Sequence, residues 1–390
     1  MTKKDIQFDR AIDRRGTGSM KWDRYAGRDV LPMWVADMDF ASPPEVLDAL
    51  HARVEHGVFG YTDPYQDVIE AVVQYLEKRH GLAADPEWIV WTPGMVPALN
   101  LACRAFAGAD EAVMTSSPVY PPFLSCAPQQ GRELQLVPLI SDGDDWTFDF
   151  DRMRSSVTAR TRMLILCSPH NPVARVWRRD ELDQLSAFCE ENGLVLCSDE
   201  IHCDLVLDDV PHIAAASLDT AVQQNIVTMM SPSKTYNIAG LSCAYAIIPG
   251  AKRRAQFQKA VRGIFTEINI FGYAGCSAAY RHGEPWRLEL IGYLRSNRDY
   301  MLSFLKDRIP QIKCGSVQAT YLAWFDVREL GLEDPASYFM DHGVMLSDGR
   351  DFGSSGFVRL NFGCPLDTLK KGLYRLEKAV RELGESGNSI

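Results

Sequence analysis

A lysine at position 234 stands directly after the apolar run Ile226–Met230, in the stretch Ser-Pro-Ser-Lys-Thr-Tyr-Asn. The apolar run predicts a short buried strand, so the lysine would lie just past a strand end. A lysine amine in that position can attack the carbonyl carbon of an aldehyde and bond to it. The hydroxyls of Ser231 and Ser233 could help to bind a phosphate. A polar surface loop has a similar composition, so this stretch alone leaves both interpretations open.

Asn171 and Asp199 also follow apolar runs, at 162–167 and 194–197. Segments with helical periodicity separate the runs, and alternating strands and helices predict a mostly parallel sheet that is covered on both faces. Ligands bind such sheets beyond the carboxyl ends of the strands. We therefore expect Asn171, Asp199 and Lys234 to converge on one crevice.

Gly94 follows another predicted strand, Trp88–Trp91, and opens a predicted helix that runs to about Phe106. The first amides of a helix, here those of Met95 and Val96, lack intrahelical acceptors and can bind a phosphate. Many helices begin with glycine, so this signal is weak by itself.

Taken singly, the candidate residues have commoner explanations. Asp199 could be a helix cap, Asn171 a turn residue and His202 a structural histidine. Tyr120 could pack within its loop, Tyr61 could be an aromatic residue of a turn, and Arg359 could lie on a solvated strand face. Taken jointly, they match what pyridoxal 5'-phosphate requires of a protein. This cofactor needs a lysine for its covalent link, a carboxylate at its pyridine nitrogen, and donors for its phenolic oxygen and phosphate. An amino-acid substrate needs a cation for its carboxylate, best supplied by the fork of an arginine.

The 390-residue chain is 46% hydrophobic and 24% charged, as is usual for a globular protein. Its net charge of −10 argues against nucleic acid and anionic membranes as partners. No apolar run approaches the length of a membrane span, and the charged start predicts no secretion signal. The ten cysteines include no C-x-x-C pair, so a metal site has little support. Their setting predicts buried free thiols in a reducing cytoplasm.

Local motifs along nearly the whole chain resemble those of the fold type I pyridoxal-phosphate enzymes of the aspartate aminotransferase superfamily. More narrowly, they resemble the MalY/PatB-type cystathionine β-lyases, also called C–S lyases. The motifs run from residue 14 to 365 and include WVADMDF, GYTD, SPHNPVARVW, SDEIHCDL, SPSKTYNIAGL and VRLNFGCP. The lysine-loop and Asn-Pro motifs mark only the superfamily. SDEIHCDL, the early KWD and WVADMDF are more specific to the lyase branch.

The resemblance implies an α/β fold with a seven-stranded, mostly parallel sheet and a smaller α+β domain. We expect residues 1–45 to form an N-terminal arm and part of the small domain. Residues 46–280 would form the large cofactor-binding domain, and residues 281–390 the small C-terminal domain.

The resemblance also implies roles for the candidate residues. Lys234 would link to pyridoxal phosphate and later move the α-proton of the substrate, and Asp199 would pair with the pyridinium nitrogen. Asn171 would donate to the phenolic oxygen, with His202 close by, and Tyr120 would stack on the ring.

Further roles concern the phosphate, the substrate and the partner subunit. The phosphate would be bound at the helix start and by two hydroxyls, from Gly94, Met95, Val96, Ser231 and Ser233. Arg359, with Tyr120 and Asn171, would bind the amino-acid substrate. Tyr61 would reach the phosphate in the other subunit's site, which implies a homodimer with shared active sites.

The reaction implied is α,β-elimination on L-cystathionine or another L-cysteine S-conjugate, giving a thiol, pyruvate and ammonia. An aminotransferase would share Lys234 and Asp199, so these residues do not exclude it, and a specialised lyase for a large S-conjugate is a third interpretation. A partner-binding protein without activity would have lost the lysine, the aspartate or the arginine, and none is lost. The family usually has glycine at the position of Ala174, and valine is commoner at the position of Met95. These departures leave the identity of the thiol half of the substrate open.

Overall fold

The computed structural model describes residues 7–142, 144–218 and 223–387. Residues 1–6 and 388–390, which belong to the predicted N-terminal arm and small domain, lie outside the described residues. The helices are α1 (Met20–Asp23), α2 (Pro44–His56), α3 (Gln66–His80), α4 (Met95–Phe106), α5 (Pro121–Gln129), α6 (Phe150–Ser156), α7 (Arg179–Glu191), α8 (Ala251–Val261), α9 (Ile270–His282), α10 (Glu284–Arg308), α11 (Pro335–Asp341) and α12 (Leu366–Gly387).

The strands of the described residues form one large sheet, one smaller sheet and two short pairs. They are β1 (Leu31–Pro32), β2 (Ile89–Thr92), β3 (Ala112–Ser117), β4 (Glu133–Pro138), β5 (Ile140–Asp142), β6 (Asp145–Thr147), β7 (Thr161–Cys167), β8 (Val195–Asp199), β9 (Ile226–Met230), β10 (Ala244–Ile247), β11 (Lys313–Cys314), β12 (Leu322–Asp326), β13 (Val344–Met345), β14 (Ser347–Asp348) and β15 (Phe357–Asn361).

The large sheet has seven strands in the order β2-β10-β9-β8-β7-β3-β4. Strand β10 runs antiparallel to both of its neighbours, and the pairings from β9 to β4 are parallel. The expected α/β fold with a mostly parallel, seven-stranded sheet is therefore confirmed.

Helices cover both faces of this sheet, which is why its central strands are buried at nearly every position rather than at alternate ones. Successive residues of β7 enter opposite cores: Ile165 packs in the core that includes α4 residue Leu99, and Leu164 packs in the core that includes α7 residue Leu185. The sheet is thus a rigid support, and the loops at the carboxyl ends of its strands are held in fixed positions.

The second sheet, in the order β11-β12-β15-β14, is antiparallel and carries Arg359 on β15. The N-terminal segment reaches this part of the molecule, because β1 pairs in parallel with β13, with Leu31 opposite Val344. The predicted boundary between residues 280 and 281 falls inside α9. The predicted domain limits themselves stay a prediction.

All ten cysteines, each within the described residues, are free thiols; nine are buried and Cys314 is partly exposed. Among the helices that the structure describes, none combines the length and the apolar character needed to cross a bilayer.

Candidate active site

A cavity of about 140 Å³ lies past the carboxyl ends of β2, β3, β7, β8 and β9. It brings together nine residues that the sequence singled out, namely Gly94, Met95, Val96, Tyr120, Asn171, Asp199, His202, Ser233 and Lys234. Arg359 lines a second, adjoining cavity that also contains Lys234. Ser231 and Tyr61 are the two predicted site residues that line neither of these cavities.

Lys234 projects from the loop after β9, and its amine donates a hydrogen bond to the carbonyl oxygen of Ala36, at 2.7 Å. Burial lowers the pKa of Lys234 to about 8, because the low-dielectric surroundings disfavour the ammonium form. The nearby Asp37 carboxylate acts in the opposite direction. An amine with this pKa is neutral in a substantial fraction of molecules near pH 8, which makes it available as a nucleophile and base.

Asp199 is the last residue of β8, and only 3% of it is exposed. Its Oδ1 accepts a hydrogen bond of 3.1 Å from the backbone amide of Ile201. Burial raises the pKa of Asp199 to about 7, while that amide and the Lys234 charge lower it. A buried carboxyl group with one fixed hydrogen-bond donor is suited to share a proton with a protonated nitrogen atom of a ligand.

Arg359 is 4% exposed and forms hydrogen bonds only to neutral groups among the described residues. Its Nη1 donates to Oδ1 of Asn171 at 2.9 Å, and its Nη2 donates to the carbonyl oxygen of Trp34 at 2.9 Å. The guanidinium lies over the ring of Phe352, 4.7 Å from its centroid. A buried cation without a carboxylate is costly, so this arrangement indicates a site for an incoming anion.

His202 lies on the loop after β8 and is 3% exposed, and its Nδ1 has no hydrogen-bond partner among the described residues. Burial holds the pKa of His202 well below its usual range, and the charges of Lys234 and Arg359 act in the same direction. His202 is therefore a neutral imidazole with an unused ring nitrogen on the wall of the cavity.

Helix α4 begins at the cavity without a side-chain cap. Its N-cap residue Gly94 has φ of 115°, a backbone conformation that residues with a Cβ atom rarely adopt. The first-turn amides of Met95 and Val96 have no intrahelical acceptor and are available to an anion in the cavity.

The two serines of the lysine loop differ in position. Ser233 lines the cavity, whereas Oγ of Ser231 lies 2.7 Å from the carbonyl oxygen of Cys243 and 2.6 Å from Oγ of Ser233. Ser231 therefore uses its hydroxyl inside the loop, behind Ser233. Its expected direct contact with a phosphate stays a prediction, and the geometry favours a supporting position.

Two predicted aromatic residues have very different surroundings. Tyr120 lines both cavities, its amide donates to the carbonyl oxygen of Asn171 at 3.0 Å, and burial raises the pKa of its hydroxyl. Tyr61 is 97% exposed on the surface of the single chain. Its expected contact with the phosphate in the partner subunit's site involves a second chain and stays a prediction.

Sequence reasoning missed the part played by the segment 34–40. The backbone carbonyls of Trp34 and Ala36 accept hydrogen bonds from Arg359 and Lys234. The WVADMDF motif marks this segment, but a backbone carbonyl has no residue-type signature. The resemblance of the motif to the family marks this segment as part of the site, but the types of its residues do not predict these two hydrogen bonds.

A buried ion-pair network fixes the same segment. Asp39 accepts hydrogen bonds from Lys21 Nζ at 2.7 Å, from Trp22 Nε1 at 2.8 Å and from Arg14 Nη1 at 2.8 Å. Lys21 is only 1% exposed, so its charge depends on this carboxylate. The early KWD motif thus positions the backbone that meets Lys234.

The adjoining cavity is larger, about 570 Å³, and opens beyond Lys234. It shares Ala36, Tyr120, Lys234 and Ala239 with the inner cavity. We call it the vestibule. Together the two cavities can hold a planar cofactor at the strand ends and a substrate that reaches outward from it.

One group of potential metal ligands lies outside both cavities. Ligand atoms of His80, Cys203 and Asp204 lie within 4.8 Å of one another. The hydroxyl of Tyr75 donates to Asp204 at 2.6 Å and lies 3.0 Å from Nε2 of His80, so these polar atoms already have protein partners. The group is a buried hydrogen-bond network.

Comparison with known proteins agrees with this geometry. The model of the family "Aminotransferase class I and II" matches residues 28–376. Cystathionine β-lyase PatB of Bacillus subtilis (strain 168) is 39% identical over 386 residues, covering 96% of this chain and 100% of PatB.

Two solved structures are similar over the same extent. The crystal structure of OvoB has a TM-score of 0.94 and 41% identity, covering 96% of this chain and 99% of OvoB. The PLP-bound C–S lyase of Staphylococcus hominis has a TM-score of 0.91 and 33% identity, covering 97% and 98% of the two chains. The resemblance seen in the motifs is therefore confirmed. The chain belongs to the aminotransferase class I and II family and, within it, to the branch of the MalY/PatB-type cystathionine β-lyases.

Proposed function

We propose that the protein is a pyridoxal-phosphate-dependent C–S β-lyase. It splits L-cystathionine or a related L-cysteine S-conjugate into a thiol, pyruvate and ammonia. The observation that carries this proposal is the buried Arg359, which has no carboxylate partner among the described residues, beside Lys234 and Asp199. It occurs in a chain that matches a cystathionine β-lyase over almost its whole length.

The inner cavity fits pyridoxal phosphate because polar atoms on its wall have no hydrogen-bond partner among the described residues. No described residue donates a hydrogen bond to Oδ2 of Asp199, and Nδ1 of His202 has no partner. The first-turn amides of α4 and the hydroxyl of Ser233 would hold the phosphate, with Ser231 behind them. Lys234 would carry the covalent link. Asn171 and His202 would lie at the phenolic oxygen, and Tyr120 at the ring face.

Pyridoxal phosphate, when bound, supplies an electron sink for the negative charge that deprotonation leaves at the substrate Cα. Arg359 binds the substrate carboxylate with its planar fork and, with Asn171, fixes the orientation of Cα. The amine of Lys234, when free of its covalent link, would remove the α-proton as a general base. The carboxylate of Asp199 would lie at the pyridine nitrogen, where its negative charge would favour the protonated form of that nitrogen. The carbonyl oxygens of Ala36 and Trp34 hold Lys234 and Arg359 beside each other in this site.

We also propose a homodimer in which Tyr61 reaches the partner's phosphate site. Apolar and aromatic side chains near Tyr61 are exposed on the single chain, with Val58 61%, Phe59 56% and Tyr61 itself 97% exposed. An exposed patch of this kind is typical of an interface. Light scattering should give twice the 43.7 kDa of one chain. A Tyr61→Phe variant should remain dimeric but bind pyridoxal phosphate more weakly; a monomer would contradict the proposal.

A cytoplasmic location is proposed as well, because ten free thiols are compatible with a reducing compartment. Cell fractionation tests it directly. Recovery of the protein with a secreted or membrane fraction would contradict it.

The reaction is tested with purified protein, pyridoxal phosphate and L-cystathionine, in the absence of any keto acid. Equal formation of pyruvate and free thiol over many turnovers is the expected result. Turnover that occurs only after a keto acid is added would instead identify an aminotransferase, the main alternative within this family.

The lysine is tested by Lys234→Ala, with the exposed Lys252→Ala on α8 as the matched control. The first variant should lose pyruvate formation and should retain no covalently bound cofactor after borohydride reduction and denaturation. The control should retain both. Full turnover by Lys234→Ala would exclude the assigned role.

A further inference from the structure

The vestibule is much larger than the cysteine part of a substrate requires. The buried residues Arg359 and Lys234 line its inner end, and the whole cavity measures about 570 Å³. In the proposed reaction, the inner end receives the cysteine half and the outer part receives the group attached to sulfur. The outer part therefore decides which S-conjugates fit.

Arg24 contributes a cation to this outer part. Its guanidinium carbon lies 4.8 Å from the centroid of the Trp34 ring and 6.0 Å from that of Tyr25. Within the described part of the chain, Arg24 takes part in no hydrogen bond or ion pair. Its neighbours Arg14 and Arg28 differ, because they pair with Asp37 and Asp341. Arg24 is thus held by aromatic faces with its hydrogen-bond donors unused.

Asp351 contributes a carboxylate to the same cavity. It lies in the short 3₁₀-helix Gly349–Phe352, directly before the ring that supports Arg359. The other carboxylates of the vestibule are engaged, Asp37 with Arg14 and Asp348 with Arg350. No described residue pairs with Asp351. The outer vestibule therefore presents one cation and one anion that form no ion pair with any described residue.

We propose that Arg24 binds a carboxylate, and Asp351 an ammonium group, on the thiol half of the substrate. This inference rests on the proposed lyase function and narrows its substrate class to thioethers or disulfides that carry an amino acid at both ends, such as L-cystathionine and L-cystine. Opposite unpaired charges match a zwitterion, whereas a plain S-alkyl group would leave both unused. Arg24 and Asp351 are specificity residues and do not act on the reacting atoms.

The test compares four substrates of the holoenzyme: L-cystathionine, S-(2-carboxyethyl)-L-cysteine, S-(2-aminoethyl)-L-cysteine and S-propyl-L-cysteine. Arg24→Met should lower kcat/KM about tenfold on the two substrates with a distal carboxylate, and should change it less than twofold on the other two. Asp351→Asn should show the complementary pattern, with losses on L-cystathionine and the aminoethyl substrate. Arg24→Lys, which keeps the charge, should recover most of the lost activity.

Arg28→Met is the matched control, because Arg28 belongs to the same N-terminal arm but is absent from the vestibule. It should leave all four values unchanged. Equal losses on all four substrates in Arg24→Met, or no loss on any, would overturn the inference.

A failure of the proposed function gives a different result. In that case, the unaltered protein would form pyruvate from none of the four substrates. The inference would then be decided by the dissociation constant of 2,7-diaminosuberate, which has a methylene in place of the cystathionine sulfur and cannot be cleaved there. Weaker binding to Arg24→Met by about tenfold supports the inference, and equal binding to both proteins overturns it.

Discussion

Lys234 and Tyr321 donate hydrogen bonds to the same carbonyl oxygen, that of Ala36, at 2.7 and 2.9 Å. Tyr321 directly precedes β12 of the second sheet, Lys234 lies in the loop after β9, and Ala36 belongs to the N-terminal segment. Three distant parts of the chain therefore meet at one backbone oxygen. The position of the lysine depends on how firmly the segment 34–40 is held.

Asn237 holds that segment from the lysine loop. Its side chain donates to the carbonyl oxygens of Met38, at 3.0 Å, and Phe40, at 2.7 Å, and accepts from the amide of Met38 at 3.0 Å. Asn237→Asp keeps the shape but replaces the donor with an oxygen that faces two carbonyl oxygens. We expect urea unfolding to show a loss of about 3 kcal/mol in unfolding free energy. A loss below about 1 kcal/mol would show that the segment is held mainly by other contacts.

Lys21 holds the segment from the other side through Asp39. Lys21→Met leaves the buried carboxylate without its closest cation, although Arg14 remains. The expected loss in unfolding free energy is about 3 kcal/mol, because an uncompensated buried charge is costly. Lys78→Met on α3, which is exposed, is the control and should change stability by less than about 0.5 kcal/mol. Equal effects of the two variants would contradict this account.

Asp199 predicts a pH-dependent stability of the cofactor-free protein. Its folded-state pKa of about 7 lies above the ordinary value of 3.8, so between those values the folded chain binds the proton more tightly than the unfolded chain. Its contribution to stability is complete below pH 4 and is lost as the pH rises to 7. Relative to Asp199→Asn, the parent should lose about 2 kcal/mol of unfolding free energy between pH 5 and pH 7. Urea unfolding at several pH values measures this, and a constant difference would contradict it.

Ala174 lies in the turn after Asn171, in a backbone conformation that suits glycine better than alanine. Its φ is 57°, in the left-handed region that favours glycine, and its side chain is buried. In Ala174→Gly, relief of this strain should offset the lost methyl contacts, leaving stability within about 1 kcal/mol of the parent. Ala279→Gly, a buried alanine in the regular helix α9, should lose about 2 kcal/mol. Thermal or urea unfolding of the two variants measures both losses of unfolding free energy, and equal losses would contradict the argument.

Much of the fold could be predicted because local patterns determine it. The apolar run at Ile226–Met230 is β9 in the structure, with the predicted bounds. The apolar run at 241–248 also predicts one strand, but Leu241 ends a 3₁₀ turn, and strand β10 begins only at Ala244 and is antiparallel. Strand direction depends on the path of the connecting chain, which hydrophobicity does not encode.

The candidate site likewise has some features that local sequence patterns predict and others that they do not. The strand-end rule placed Asn171, Asp199 and Lys234 together, because they lie at or just past the carboxyl ends of three neighbouring parallel strands. The hydrogen bond from Arg359 to Asn171 spans 188 residues and arises from the packing of β15 near the loop after β7. No local pattern reports such packing. The role proposed for Tyr61 requires a second subunit and is beyond what one chain can reveal.

The pairing of β1 with β13 has a consequence for synthesis on the ribosome. Residues 31–40 emerge early, but Leu31 pairs with Val344, and Ala36 receives its bond from Tyr321. A nascent chain that has just produced Lys234 still lacks both partners of this segment. The lysine loop therefore cannot assume its final surroundings until more than a hundred further residues have been made, so a chain released early would contain the reactive lysine without a formed site.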